Sequence, residues 1–162
     1  MKKKISSNKD VSKVSDLSNS INKIVVSRGN PFAKLMIIGE APGAKEEEVG
    51  EPFVGRSGKL LDKLLQNAGI DISQDVYFCN VVKCRPPKNR RPTKIEIQEN
   101  LPWLYQQIKL VNPEIIVLVG ATALEAISKN KSPISILRGK WINWNGRLVM
   151  PIFHPAYLLR NQ

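Results

Sequence analysis

The chain has 162 residues, with 25 Lys/Arg against 14 Asp/Glu and a formal net charge of +11. That length suffices for one domain burying roughly two-thirds of the surface its unfolded form exposes, so folding requires neither metal nor disulfide. Two cysteines and one histidine are too few for a disulfide framework or a recognisable zinc spacing. The opening MKKK runs into polar residues, and no apolar run approaches the ~18 residues of a membrane span. A cytoplasmic protein with no membrane partner is the expectation.

Residues 1–30 are rich in Ser, Lys and Asn and read as a basic, flexible arm, with a short apolar edge at Ile24, Val25 and Val26. The domain proper is expected over 31–162. Four apolar, β-branched runs follow as strands: Leu35 to Ile38, Val76 to Val82, Ile115 to Val119 and Leu148 to Phe153. Between the first two, Leu60, Leu61, Leu64, Leu65 and Ala68 form one helical face, stopped by Gly69. Thr93 with Glu96 is a capping-box pattern opening a helix that ends before Asn112-Pro113, and Ala121 to Lys129 is a third helix. Strands alternating with helices predict an α/β fold, a three-layer α/β/α sandwich around a mostly parallel four-stranded sheet.

Charge is distributed unevenly along these elements. No acidic residue follows Glu125, and the window from Val76 to Ile95 is also free of acids while holding Lys83, Arg85, Lys88, Arg90, Arg91 and Lys94. Such a density suits phosphate neutralisation, so nucleic acid is the leading partner; a generally basic surface is the plainer alternative. Gly39-Glu40-Ala41-Pro42-Gly43, Asn80, Gly120-Ala121 and His154-Pro155 all fall at or just past the carboxyl ends of the predicted strands. In open α/β sheets that edge is where ligands bind, so one pocket is expected to gather a carboxylate, an amide, a glycine turn and the only imidazole. A phosphate loop is excluded, because Gly43-Ala44-Lys45 and Gly58-Lys59-Leu60 both lack the Gly-Lys-Ser/Thr sequence. Paired carboxylates fit handling of water and of a sugar-like cation, whereas Glu47, Glu48 and Glu51 read as a solvated acidic turn.

Three segments in this order and at these spacings, GEAPGAKEEEVGEPFVGRSGKLLDKLL, VYFCNVVKCRPPKNRRP and FHPAYLLR, resemble the signature regions of the family-four uracil-DNA glycosylases. The resemblance spans about Asn30 to Arg160. It implies excision of uracil from DNA in base-excision repair by hydrolysis of the N-glycosidic bond, with a monomer as the simplest state. By the same resemblance, Glu40 and Glu46 handle the catalytic water and the oxocarbenium ion, and His154 stabilises the departing base near its O2. Phe53, on a loop expected to be exposed, stacks on the ring. Ala41 and Gly43 border the base, and Gly43 leaves room where a bulkier residue could exclude a 5-methyl group. Asn80 reads the uracil edge, since an amide can accept from N3–H and donate to O4 at once.

Lys83, Arg85, Asn89, Arg90 and Arg91 are expected on phosphates, and Leu158 is expected to wedge the stack beside Tyr157 and Arg160. The relatives' iron–sulfur cluster needs four thiolates. Only Cys84 matches a ligand position; Asn100 occupies another, and the stretch from Asp10 to Ile24 has no cysteine. No cluster or other cofactor is therefore expected, and Cys79 is expected to be partly buried on its strand. By the same resemblance, relatives continue into a further helix beyond the position of Gln162, a difference that bears on stability and on the grip on duplex. A lesion-binding paralogue without catalysis, and a glycosylase for hypoxanthine or xanthine, are the alternatives.

Overall fold

A computed structural model describes residues 23–129 and 132–160. Six strands form one sheet in the order β1-β3-β2-β4-β6-β5. The central four are parallel: β2 (Leu35–Gly39), β3 (Val76–Asn80), β4 (Ile115–Val119) and β6 (Arg147–Ile152). These are the four predicted runs, with β3 ending at Asn80 two residues short of the predicted boundary. Two short antiparallel edges, β1 (Arg28–Gly29) on β3 and β5 (Ile142–Trp144) on β6, correct the expected count from four to six. β5 exists because Asn145 and Gly146, both at positive φ, close a tight hairpin onto β6.

Period-two alternation divides the core between the two faces of the sheet. Met36, Ile38, Tyr77, Cys79, Ile116 and Leu118 pack on one side against α3 (Lys94–Val111) through Leu104 and Ile108, and α4 (Ala121–Ser128) through Leu124 and Ile127. Ile37, Val76, Phe78 and Val119 pack on the other against Phe53 and α2 (Arg56–Asn67) through Leu61. The three-layer class is therefore the one the sequence predicts. Thr93 caps α3 in the predicted box, accepting from the Glu96 N–H while the Glu96 carboxylate accepts from the Thr93 N–H. Three short helices, α1 (Ala44–Val49), α5 (Ile134–Leu137) and α6 (Pro155–Arg160), complete the fold. No helix among the described residues is long and apolar enough to cross a membrane.

The arm expected at residues 1–30 falls largely on 1–22, which lie outside the described residues. Its remainder belongs to the domain. Val25 is fully buried, its N–H donating to the Lys83 carbonyl, and Arg28 and Gly29 pair with Phe78 and Tyr77. Cys79, expected to be partly buried, is fully so, and burial pushes its thiol up to about 11.

Candidate active site

The carboxyl ends of the parallel strands surround a cavity of about 340 Å³ lined by Glu40, Ala41, Gly43, Glu46, Phe53, Asn80, Asn89, Arg90 and His154, among others. Asn80 reaches it by strand parity. It follows Val76 and Phe78 on the α2 side of the sheet and is 3% exposed. Beside it, Gly39 ends β2 in register with Asn80. A Cβ added at Gly39 would lie 2.4 Å from Asn80 Oδ1 and 2.5 Å from Phe53 Cζ. The amide and the ring tip therefore converge over a position that only hydrogen can fill.

Phe53 is 6% exposed and packs on Phe78, so the expectation of an exposed loop aromatic is corrected: the ring is part core and part cavity wall. Its backbone sits at φ +57, an unfavourable shape for a bulky residue. Arg28 supports that shape. Its Nε donates to the Pro52 carbonyl at 2.8 Å and its Nη2 to the Phe53 carbonyl at 3.3 Å. The same guanidinium pairs with Asp62 at 2.6 Å and stacks over the Phe78 ring. Nothing in its sequence neighbourhood marks Arg28 for this work.

The two carboxylates differ in their surroundings. Glu40 accepts from the Thr122 hydroxyl, and Thr122 in turn accepts from Arg91 Nε at 3.0 Å, which orients the carboxylate toward the cavity it lines. Thr122 is a further residue that the sequence pattern did not mark; it lies one residue past Gly120-Ala121, and strand-end reasoning extended by one turn reaches it. Glu46 instead accepts from three backbone N–H groups, Gly43 at 3.2 Å, Val54 at 3.1 Å and Gly55 at 2.8 Å. Those bonds cap α1 at Gly43 and tie to it the segment that follows Phe53. Charge-assisted bonds of this kind are the strong ones. Replacing Glu46 by Gln is expected to lower stability by about 1–3 kcal/mol, because an NH2 would face backbone donors. Thermal denaturation checks this: an unchanged midpoint with only the rate reduced would mean that Glu46 serves chemistry and not the loop.

His154 follows β6 and precedes α6. Its Nδ1 accepts from the Ala156 N–H at 3.1 Å, which fixes the neutral ring's proton on Nε2 and leaves that N–H as a donor. Burial lowers its pKa from 6.5, partly opposed by Glu40 and, less, by Glu46, with Arg160 lowering it further. Gly120, at φ +92, holds a backbone shape that would strain a side chain, although an added Cβ would meet the His154 Cβ only at an ordinary contact of 3.4 Å. Since the folded pKa lies below the unfolded value, the unfolded chain binds the extra proton. Stability contributed by the neutral ring is therefore fully present above pH 6.5 and declines as pH falls below it. Wild type is expected to lose thermal stability faster than His154→Gln between pH 7 and pH 5; parallel curves would reject the buried neutral imidazole.

The basic residues expected on phosphates are differently placed. Lys83 is only 7% exposed, its Nζ donating to the Asn80 carbonyl at 2.5 Å and to Gln107 Oε1, so its assignment to phosphate is corrected. Arg85 pairs with Glu47 and Asn89, Arg90 with Glu96, and Arg91 with Glu125. The Glu47 pairing also corrects its reading as part of a solvated turn. Asn89 and Arg90 lie at the cavity rim, while Arg91 and Arg160 line an adjoining cleft with Glu40 and His154. Tyr157 packs on Phe153, and Leu158, 41% exposed, lines a groove with Leu61, Leu64 and Phe153 on the α2 side.

The donors present decide whether the cluster implied by the resemblance fits. Asn100, at one ligand position, has its amide spent: Oδ1 accepts from the Lys83 N–H and Nδ2 donates to the Glu96 carbonyl. Cys79 faces the α3 side of the core as a buried thiol. Among the described residues no group of three or more His, Cys, Asp or Glu could hold a metal ion, and the whole chain has two cysteines. These residues do not fit a four-thiolate group.

An aromatic ring, a buried amide, two carboxylates and an imidazole line one strand-end cavity of an α/β fold, the edge at which such folds hold small ligands. Comparison with known proteins gives the family. The family model described as Uracil DNA glycosylase superfamily matches residues 26–162. The chain is 48% identical over 141 residues to the type-4 uracil-DNA glycosylase of Thermotoga maritima, covering 86% of this chain and 73% of the relative. It is 38% identical over 152 residues to the type-4 enzyme of Archaeoglobus fulgidus, covering 89% of this chain and 76% of that one. With the type-5 uracil-DNA glycosylase of Pyrobaculum aerophilum it shares 32% identity over 146 residues, 80% of this chain and 64% of the relative. The chain belongs to the uracil-DNA glycosylase superfamily.

Proposed function

We infer that this protein excises uracil from DNA by hydrolysing the N-glycosidic bond of deoxyuridine, as an enzyme of DNA repair. The observation that carries the reading is the meeting of the Asn80 amide and the Phe53 ring over Gly39, in the cavity that Glu40 and His154 also line. A base enters such a cavity only when everted from the helix. Phe53 supports stacking of the pyrimidine, and Asn80 supports acceptance from N3–H with donation to O4. The C1′–N1 bond then breaks with its electron pair going to the base. His154 Nε2–H donates to the charge gathering on O2, a role that does not require a charged imidazole. Glu40 orients a water and faces the positive sugar; the water oxygen bonds C1′, and its proton ends on the departing base. Glu46 shapes the loop that carries Phe53. No step requires a cluster or another cofactor, and we propose that the protein works without one, as a monomer.

The test is incubation with a labelled oligonucleotide holding one uracil, followed by alkali to break abasic sites. A strand break at the uracil is expected. Cleavage only of a matched hypoxanthine strand would replace this reading with a different base, and tight binding with neither strand cut would replace it with lesion recognition.

A further inference from the structure

We propose that Lys83 is a positioning residue for excision: it holds the main chain of Asn80 and places a buried positive charge behind the base pocket, favouring departure of the base as an anion. The proposal rests on reading the cavity as a uracil-excision site.

Lys83 lies three residues beyond Asn80 and folds back so that its Nζ donates to the Asn80 carbonyl at 2.5 Å. Its other partner, Gln107 Oε1 on α3, is also an acceptor. Gln107 is held in turn, its Nε2 donating at 3.0 Å both to the Val26 carbonyl and to the Tyr77 hydroxyl. The Lys83 backbone is fixed from two sides, its N–H by Asn100 Oδ1 and its carbonyl by the Val25 N–H. One network thus ties the end of β3, helix α3 and residues 25–26 together around a single side chain. Among the described residues, no carboxylate pairs with its ammonium, and the neighbouring Cys79 is a neutral thiol.

Burying a cation among neutral acceptors is costly, so a position that needed only hydrogen bonds would be better served by a neutral group. The charge itself has a use at this place. A base hydrogen-bonded to the Asn80 side chain would have the Asn80 residue between it and the ammonium, which sits on the Asn80 carbonyl. In surroundings of effective dielectric about 20, a unit charge roughly 10 Å from a developing anion changes its rate of formation on the order of tenfold. The charge is fixed before the reaction begins, so it costs no reorganisation when the glycosidic bond breaks.

Leaving-group dependence separates this role from a purely structural one. Fluorine at C5 withdraws electron density, so 5-fluorouracil carries less charge at its transition state and needs less help to leave. Single-turnover excision of uracil and of 5-fluorouracil from the same oligonucleotide is measured for wild type, Lys83→Met and Gln107→Glu. The ratio of the two rates is independent of the fraction of enzyme folded. In Lys83→Met the uracil rate is expected to fall on the order of tenfold and the 5-fluorouracil rate by less, so that the ratio of the two shifts against uracil. Gln107→Glu keeps Lys83 but sets a carboxylate beside it, and shifts the ratio in the same direction. An unchanged ratio in Lys83→Met overturns the proposal whatever the absolute loss. If that variant is too unstable to assay, an unchanged ratio in Gln107→Glu overturns it. Wild type inert on both bases would instead refute the functional reading.

Discussion

Replacing Asn80 by Asp is expected to lower uracil excision about 10³-fold, the largest loss from any single conservative change in this protein. The side chain is held almost out of water, its Oδ1 crowded against the Gly39 position that the Phe53 ring tip also approaches, which leaves it little room to present another edge. Asparagine offers one acceptor and two donors; ionised aspartate offers acceptors only. Uracil O4 would then face a carboxylate oxygen in a site with no solvent to intervene. An unpaired or repelling contact of this kind costs far more than a missing one, which is why hydrogen-bonding sites discriminate more strongly than apolar ones. Single-turnover rates on a uracil oligonucleotide, with the thermal midpoint measured alongside, check the result. Activity within threefold of wild type would remove Asn80 from base recognition.

The second large effect is expected from the smallest change. Gly39→Ala adds one methyl group to a residue of ordinary backbone shape, and a β-strand tolerates alanine. The added carbon would fall 2.4 Å from Asn80 Oδ1 and 2.5 Å from Phe53 Cζ, far inside contact distance. Both groups must then retreat, and both are the ones assigned to the base. Displacing reactive geometry by about 1 Å costs on the order of 10²-fold, so kcat/KM for uracil should drop by about that factor or more. Stability should fall too, because both groups are buried and must push on their neighbours, but the loss of rate should exceed the loss of folded protein. Fluorescence-detected melting with steady-state kinetics separates the two. Loss of folding in proportion to activity would mean that Gly39 serves packing alone.

Much of this arrangement is legible in the amino-acid sequence. The four parallel strands announce themselves as β-branched runs, and β3 is buried at all five positions as a fully covered strand should be. Because side chains and functional groups concentrate where parallel strands end, Glu40, Asn80 and His154 can be assigned to one edge from sequence position alone. The edge strands are harder. β1 is two residues long and lies in a stretch whose lysines and serines read as solvated. β5 carries a usable signal, the Asn145-Gly146 pair, which the apolar-run criterion passes over. Glu46 is also decipherable in hindsight: it stands three residues after Gly43, the N-cap of α1, where a side chain turns back on the cap.

What local pattern does not encode is the fate of long cationic side chains. Arg28 and Lys83 look like surface residues because their charge is visible and their burial is not. Each is drawn inward by partners 24 or more residues away, Pro52, Asp62 and Gln107. Phe53 is misread for a related reason. Proline and glycine neighbours mark a loop correctly, but a loop can be pulled into the core when a guanidinium satisfies its carbonyls.

The ion pairs at the rim have a consequence for how strongly this protein would depend on ionic strength. Arg85, Arg90 and Arg91 are each engaged by a carboxylate, Glu47, Glu96 and Glu125. A phosphate reaching any of them exchanges one anion for another, releasing fewer condensed counterions than a bare guanidinium would. The logarithmic slope of affinity against salt should thus be shallower than a tally of positive side chains suggests, with the acidic partners acting as built-in competitors for the nucleic acid backbone.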